Sequence, residues 1–332
     1  MRRLRNVFII FLGLFLMTGC LKSEAEKNRD RVNKILNHLE KKYGEKFYMS
    51  SPFGGRGQND ALRIMVKPER YRGTTKEYDD FYEDYAFIKT DGKIGDAFGT
   101  IYLKEGAEEY FKPKLKELFG ENVLIAIVPE GRYVFVNFKK EMERRSNVYN
   151  SNPIGNYSPL SGGIYIFGRV KSEADREYYR KQIYEFIQYL KAENMFDYTL
   201  LKIRVIDERV LTKGYRNNDN KINTNLIELI NDKSLDRKEY SEKRVNLMSQ
   251  FDIEYNKMTD KEKEEAINKY SKAALGESYI KVFGKGTPLL SFFTYSPKYI
   301  ISRGWDRDKN SDDYEKVKYY DKIEEVDLSE GW

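Results

Sequence analysis

Cys20 is the only cysteine among the 332 residues. No disulfide can staple the chain to itself, and no cluster of thiolates can hold a structural zinc. His38 is likewise the only histidine, so a serine or cysteine hydrolase built on this chain would have one candidate base. It lies in "VNKILNHLEKKYG", on what reads as the polar face of a helix, and we assign it no catalytic role. Whatever this chain folds into is held by buried apolar surface. Its length provides for one large domain or two smaller ones.

The setting of Cys20 carries a second constraint. Arg2, Arg3 and Arg5 precede an uninterrupted apolar run of eleven residues, Val7 to Met17. A bilayer-spanning helix needs about 20 apolar residues, so the run has the length of a secretory signal's hydrophobic core, and the small residues Thr18 and Gly19 follow it as such a signal requires. Leu16-Met17-Thr18-Gly19-Cys20 resembles the lipobox of bacterial lipoproteins, with Met17 in place of the usual leucine three residues before the cysteine. That resemblance implies cleavage between Gly19 and Cys20, with diacylglyceryl and N-acyl groups on Cys20. It also implies a lipid-anchored, extracytoplasmic mature protein, Cys20–Trp332, on a bacterial cell membrane or outer membrane. Several acyl chains are needed because one myristoyl-sized chain, at roughly 0.8 kcal/mol per buried methylene, binds only marginally. The competing readings are an ordinary secretion signal with an incidental cysteine and a buried free thiol.

Charge narrows the partners. Removing residues 1–19 takes away three arginines and no acid, so the formal charge falls by three from +6. The remainder is close to neutral and shows no basic stripe interleaved with aromatics, which argues against nucleic acid. Twenty-seven tyrosines admit stacking on sugars, but a compositional bias with tyrosine at core and boundary positions accounts for them more simply.

The pattern along the mature chain predicts an α+β fold, with mixed or antiparallel sheets, packed amphipathic helices and room for two subdomains. We divide the chain into a signal peptide (1–19), a charged lipid-anchored stalk (20–29), an α+β domain (30–143), a linker or long loop rich in Asn, Ser, Pro and Gly (144–163), a second α+β half (164–302) and a charged C-terminal tail (303–332). Val32, Ile35, Leu36, Leu39 and Tyr43 mark one face of a helix stopped at Gly44. "ALRIMVKP" alternates as a half-buried strand, and "YAFIKTDGK" is a strand ending in a turn. Residues 99–120 read as helical, with Pro113 either kinking the helix or opening a second one. "NVLIAIVPEGRYVFVNFKK" reads as two strands joined at Pro129-Glu130-Gly131, Val123 to Val128 being the candidate central strand. Ser172 to about Met195 is a helix burying Tyr179, Ile183, Phe186, Ile187 and Leu190, and "LLKIRVIDERVL" is a strand with Lys202 and Arg204 opposite its apolar side. Residues 222–275 read as helical in at least two pieces, the last opened by a capping box at Thr259-Asp260-Lys261-Glu262. "SYIKVFGKG" and "LLSFFTYSPKYII" return to strand. Alternation of this kind favours antiparallel or mixed sheets over a doubly wound parallel one.

Residues 30–130 carry a second resemblance. "HLEKKYGEKF", then "DGKIGDAFGTIYLKE" and "LKELFG", with the turn Tyr43-Gly44-x-x-Phe47 and a later acid at a helix start, are similar to a module of lipoproteins of low-GC bacteria that has no assigned activity. It implies surface location and fold, and no site.

Patterns that might carry chemistry fail on spacing. Asp306-x-Asp308-x-Asn310 opens like a calcium loop but has Ser311 and Val317 where glycine and glutamate belong. Asn217-x-Asp219 reaches Glu228, yet Lys221 and Ile222 occupy a ligand position and the turn glycine's position. Ser278-x-x-Lys281 and Gly284-Lys285-Gly286-Thr287 lack the order and the Ser-Asp-Asn of penicillin-recognising enzymes. Phosphate-cradling glycine motifs are missing. We expect no metal and no cofactor beyond the acyl groups on Cys20, and name no catalytic residue. Acidic "EYDDFYEDY" (77–85) reads as solvated loop or strand edge, or as the dock of a cationic partner.

The function this implies is a membrane-anchored lipoprotein without catalysis, a binding or interaction module whose partners are the bilayer through Cys20 and an envelope protein or glycan. A carboxylate-dependent envelope hydrolase and a transporter's solute-binding protein are the alternatives. Replacing the sulfur tests the anchor: Cys20→Ser should move the protein from the membrane fraction to the soluble one, and retention in the membrane fraction would overturn lipidation.

Overall fold

The computed structural model describes residues 23–51, 56–57, 61–151, 159–212, 229, 232, 234–269, 272, 288–304 and 318–330. The fold is α+β. The chain divides into two compact units, one made of residues up to Gly73 together with Glu83–Phe98, the other of Thr74–Tyr82 together with Gly99 onward.

The first unit sets one helix on an antiparallel sheet. Helix α1 (Glu24–Tyr43) opens with a capping box, in which Ser23 Oγ accepts from Glu26 N at 3.2 Å and Glu26 Oε2 accepts from Ser23 N at 2.8 Å. Ile35 and Leu39 are its buried face, and Gly44 ends it at φ 75° with its N–H on Glu40 O. Residues 24–29, placed in a stalk by their charge, are thus the exposed first turns of this helix. The strands are β1 (Phe47–Ser51), β2 (Arg56–Gly57), β3 (Ala61–Pro68), β4 (Asp84–Ile88) and β5 (Ile94–Asp96). They pair in the order β1-β3-β4-β5, with β2 against β3, every pairing antiparallel. The Tyr-Gly-x-x-Phe turn now has a physical role. Tyr43 donates to Asp96 Oδ1 at 2.5 Å and Lys42 Nζ to Oδ2 at 2.9 Å, while Phe47 and Phe98 meet edge to face with centroids 4.8 Å apart. Asp96, just ahead of the next helix, therefore ties the end of α1 to the end of β5.

The second unit is a five-stranded mixed sheet with helices on both faces. Its elements are α2 (Gly99–Phe119), β6 (Val123–Pro129), α3 (Phe138–Ser151), β7 (Leu160–Gly168), α4 (Glu173–Ala192), β8 (Thr199–Asp207), α5 (Arg237–Lys257), α6 (Asp260–Lys269), β9 (Pro288–Phe293), α7 (Pro297–Arg303) and β10 (Ser329–Glu330). The order is β10-β9-β8-β7-β6. Strands β7 and β8 are parallel from Leu160↔Thr199 to Gly168↔Asp207, and the other neighbours are antiparallel. One parallel pair requires a crossover, and α4 supplies it. On one face Ile125, Ile164, Leu201 and Ile203 pack against Phe111 of α2 and Phe186 of α4, whose rings lie 6.0 Å apart. Leu124, Tyr165 and Phe167 on the other face pack against Phe251 and Tyr255 of α5 and Ile267 of α6. The predicted inner face of α4 is the observed one, and Ser172 and Asp175 cap that helix. Thr259 and Glu262 form the predicted box at α6.

Several expectations need correction. Val123–Val128 lies at an edge of the described sheet, not its centre. Its aliphatic run reflects cover on both faces, and cover does not depend on the number of neighbouring strands. Residues 132–137 form no second strand; the chain turns from β6 into α3. Residues 144–151, expected in a linker, continue α3, and residues 152–158 lie outside the described residues. The compact units part at Phe98/Gly99 and around 73–83, so the division does not follow the polar stretch. The expected tail is partly core: Tyr320, Val326 and Leu328 are buried, held by Arg180 Nε on Val326 O at 3.1 Å and Gln188 Nε2 on Tyr320 O at 2.8 Å. Three apolar residues without periodicity give no pattern to read. "SYIKVFGKG" and residues 213–228 lie outside the described residues. A solute-binding protein would need two lobes of parallel α/β; among the described residues the first unit's pairings are all antiparallel and the second has one parallel pair.

Phe186 is wholly buried between α2 and the sheet, so Phe186→Ala should cost about 3–5 kcal/mol. Glu185→Ala, one residue away on the exposed side, should stay within about 0.5 kcal/mol. Chemical denaturation of the two variants makes the comparison.

Candidate functional site: a cationic groove on the second sheet

Alternation along β8 puts Leu201, Ile203 and Val205 into the core shared with α2 and α4, and Lys202 and Arg204 on the opposite face. Helices α5 and α6 close part of that face. Further along the strands lies a groove of about 670 Å³. Its floor combines Ala126 of β6, Gly163 and Tyr165 of β7, Lys202 and Arg204 of β8, and Phe293 of β9. Two adjacent glycines keep this floor low. Gly162 has φ +133°, and a Cβ there would stand 2.0 Å from Ala126 O, so the neighbouring strand can come this close only to glycine. A Cβ on Gly163 would press against the Tyr165 ring at 3.1 Å.

One wall comes from Phe81, Lys104 and Lys272. Lys104 Nζ donates to Phe81 O at 3.1 Å and sits 4.6 Å from the centre of that ring. Lys272 is buried and its Nζ lies 2.8 Å from Glu108 Oε2, to which Tyr82 also donates at 2.6 Å. Its backbone N–H goes to Asp79 Oδ2 at 2.9 Å. Burial opposes ionisation of both partners in the pair. At Glu108 the adjacent Lys272 ammonium overcomes it and holds the carboxyl below its ordinary range. At the more deeply buried Lys272, desolvation prevails and holds the ammonium below its ordinary value.

Counting charges decides what the groove favours. Lys104, Lys202, Arg204 and Lys272 line it together with Asp80 and Glu130, and Ser161 Oγ donates to Glu130. With Glu108 set against Lys272, the described lining still carries a positive excess. Tyr165, Phe81 and Phe293 add ring surface. The arrangement suits an anionic ligand with flat faces.

Comparison with known proteins adds little. No family model matches the chain, and no curated protein does. Among solved structures, the crystal structure of a DUF5037 family protein from Ruminococcus gnavus ATCC 29149 at 2.55 Å resolution is similar, covering 82% of this chain and 99% of that one at 12% identity and a TM-score of 0.37.

The residues singled out by sequence fall elsewhere. Gly19 and Cys20 lie outside the described residues, as do both calcium-like loops, Ser278 and Lys281. His38 sits half-buried on α1. Of the 77–85 cluster, Asp79 is buried, with its carboxylate also accepting from Phe81 N at 2.9 Å; Asp80 is the one acid of the cluster that lines the groove, beside Phe81. Among the described residues no trio of acids, His or Cys could hold a metal ion, and no helix is long and apolar enough to cross a membrane. A second cavity of about 340 Å³ is lined by Glu143 and Glu193. There Glu193 accepts from Tyr110, whose hydroxyl is pushed above the ordinary phenol value by burial and by that bond. Lys202 and Arg204 were legible as the polar side of a strand. Lys104, Phe81 and Lys272 were not, because distant segments bring them there.

Glu108→Gln would leave the Lys272 ammonium buried without its counter-ion, at a cost of about 3–5 kcal/mol. Because the Glu108 pKa is lowered in the fold from an ordinary 4.5, its stabilisation is complete above that value and fades as pH falls through and below it. The gap between wild type and Glu108→Gln in denaturation midpoint should therefore narrow on acidification. A gap independent of pH would refute the ion pair.

Proposed function

We propose that this protein is a membrane-anchored extracytoplasmic lipoprotein, acylated at Cys20 after cleavage behind Gly19, and that its folded body is a non-catalytic binding module for an acidic glycan of the cell envelope. The leader supports the anchor: three arginines, an apolar run too short to span a bilayer, and Leu16-Met17-Thr18-Gly19-Cys20. The observation that carries the binding role is the positive excess on the groove floor, where Lys202 and Arg204 stand beside Tyr165 and Phe293. Guanidinium and ammonium groups meet carboxylate or phosphate groups along a glycan, while rings stack against sugar faces. Lys202 already lies 5.9 Å from the centre of the Phe293 ring, so one side chain can serve both contacts. The reading gives no residue a catalytic role and calls for no cofactor besides the acyl groups.

Isothermal titration of the chain beginning at Leu21 with a uronic-acid polymer, and separately with a neutral glucan, tests the reading. Binding should favour the acidic polymer, weaken with salt and be lost in the double variant Lys202→Glu, Arg204→Glu. Equal affinity for both polymers, or an unaffected double variant, would sink it.

A further inference from the structure

The segment between β6 and α3 exposes three apolar side chains in a row. Val134, Phe135 and Val136 are 66%, 42% and 41% exposed, although a strand was expected here. The exposure is built rather than slack. Glu141 on the first turn of α3 is wholly buried, and its Oε2 accepts the backbone N–H groups of Val134 at 3.0 Å and Phe135 at 3.1 Å. The same carboxylate takes Arg144 Nη2 at 2.6 Å and Arg145 Nε at 2.9 Å. Arg144, Arg145 and the two backbone donors overcome the effect of burial and hold the Glu141 carboxyl down at about 2, so the pin stays ionised across ordinary pH. Beyond the loop Phe138 is buried, its ring 5.8 Å from that of Phe111 and its Cβ against Gly106, where an added Cβ would lie 2.7 Å away. Both ends of the loop are thus fixed while its middle faces water.

Charges surround that apolar tip. Arg132, Lys139 and Lys140 are exposed, as are the acids Glu130 and Glu143; with Glu141 met by both Arg144 and Arg145, residues 130–145 keep a positive excess. An apolar tip flanked in the chain by an excess of cations matches the layering of a membrane surface, with anionic headgroups above hydrocarbon. Three residues are too few for a stable protein interface, which takes about 800 Å² from each partner.

We propose that the 134–136 loop enters the surface of an anionic bilayer, its valines and phenylalanine reaching the acyl boundary while Arg132, Lys139 and Lys140 meet lipid phosphates. In the cell this contact would act beside the tether at Cys20, and to that extent it rests on the lipoprotein reading; lipid binding by the loop itself does not. A chain held at the membrane by its first residue meets the lipid surface at high effective concentration, so a weak contact is enough to orient it.

The experiment uses the unacylated chain from Leu21, which keeps every described element, with vesicles of phosphatidylglycerol mixed into phosphatidylcholine and vesicles of phosphatidylcholine alone. Co-sedimentation should occur with the acidic vesicles and fall as salt rises. The triple variant Val134→Ser, Phe135→Ser, Val136→Ser should lower the partition by about tenfold or more while far-UV circular dichroism stays unchanged, since these side chains are outside the core. The double variant Lys139→Glu, Lys140→Glu should lose the preference for acidic lipid. A wild-type chain that ignores acidic vesicles, or a triple variant that partitions as wild type, overturns the proposal. So does a triple variant that instead abolishes self-association in sedimentation velocity, which would make a second copy the occupant. Failure of Cys20→Ser to release the protein would count against the anchor and leave these results standing.

Discussion

The parallel pairing of β7 with β8, bridged by α4, is the interaction on which the second unit depends. Two parallel neighbours cannot be joined by a tight turn, so the chain crosses over through α4, whose inner face must then match the sheet. Phe186 and Ile187 meet that need, and Phe111 of α2 completes the layer. The remaining strands add antiparallel on either side. With no disulfide available, apolar packing on both faces of this sheet is what holds the strands, and the segment around Tyr320 and Val326 adds to it from the far end of the chain.

Buried charges are placed where the regular pattern breaks. Asp207 at the end of β8 is gripped by Arg209, Glu141 by two arginines and two backbone donors, and Lys272 by Glu108. Each is expensive to bury alone and tolerable only with its partners satisfied. These pins shape the two surfaces proposed to meet ligands. The Lys272 pair builds a wall of the groove, and Glu141 turns the Val134–Val136 loop outward. The interior charges therefore hold surface residues in place, and reaction chemistry is not needed to explain them.

Much of the fold was legible locally. Helix α4 was read with its buried residues, the box at Thr259 and the glycine stop at Gly44 were read from spacing, and the alternation of β3 and β8 pointed to sheets that are antiparallel or mixed. Other features misled for identifiable reasons. A strand covered on both faces looks central in sequence even when it pairs on one side only, as β6 does. The run from Tyr133 to Phe138 has strand-like composition, yet a carboxylate three residues past its end claims its N–H groups. The groove was half legible: Lys202 and Arg204 stood out as a polar edge, whereas nothing local connects Phe81, Lys104 and Lys272.

By itself, then, the sequence determined the helix faces, the strand alternation, the exclusion of disulfides and the expectation of an acylated Cys20, because each depends on residues near one another in the chain. Tertiary structure alone decided which strands are neighbours, that Asp79 and Lys272 come together across 193 positions of sequence, and that Val134, Phe135 and Val136 face water. Those outcomes depend on which distant segment covers which face, and that choice is made by burial and charge compensation over the whole unit rather than by any local pattern.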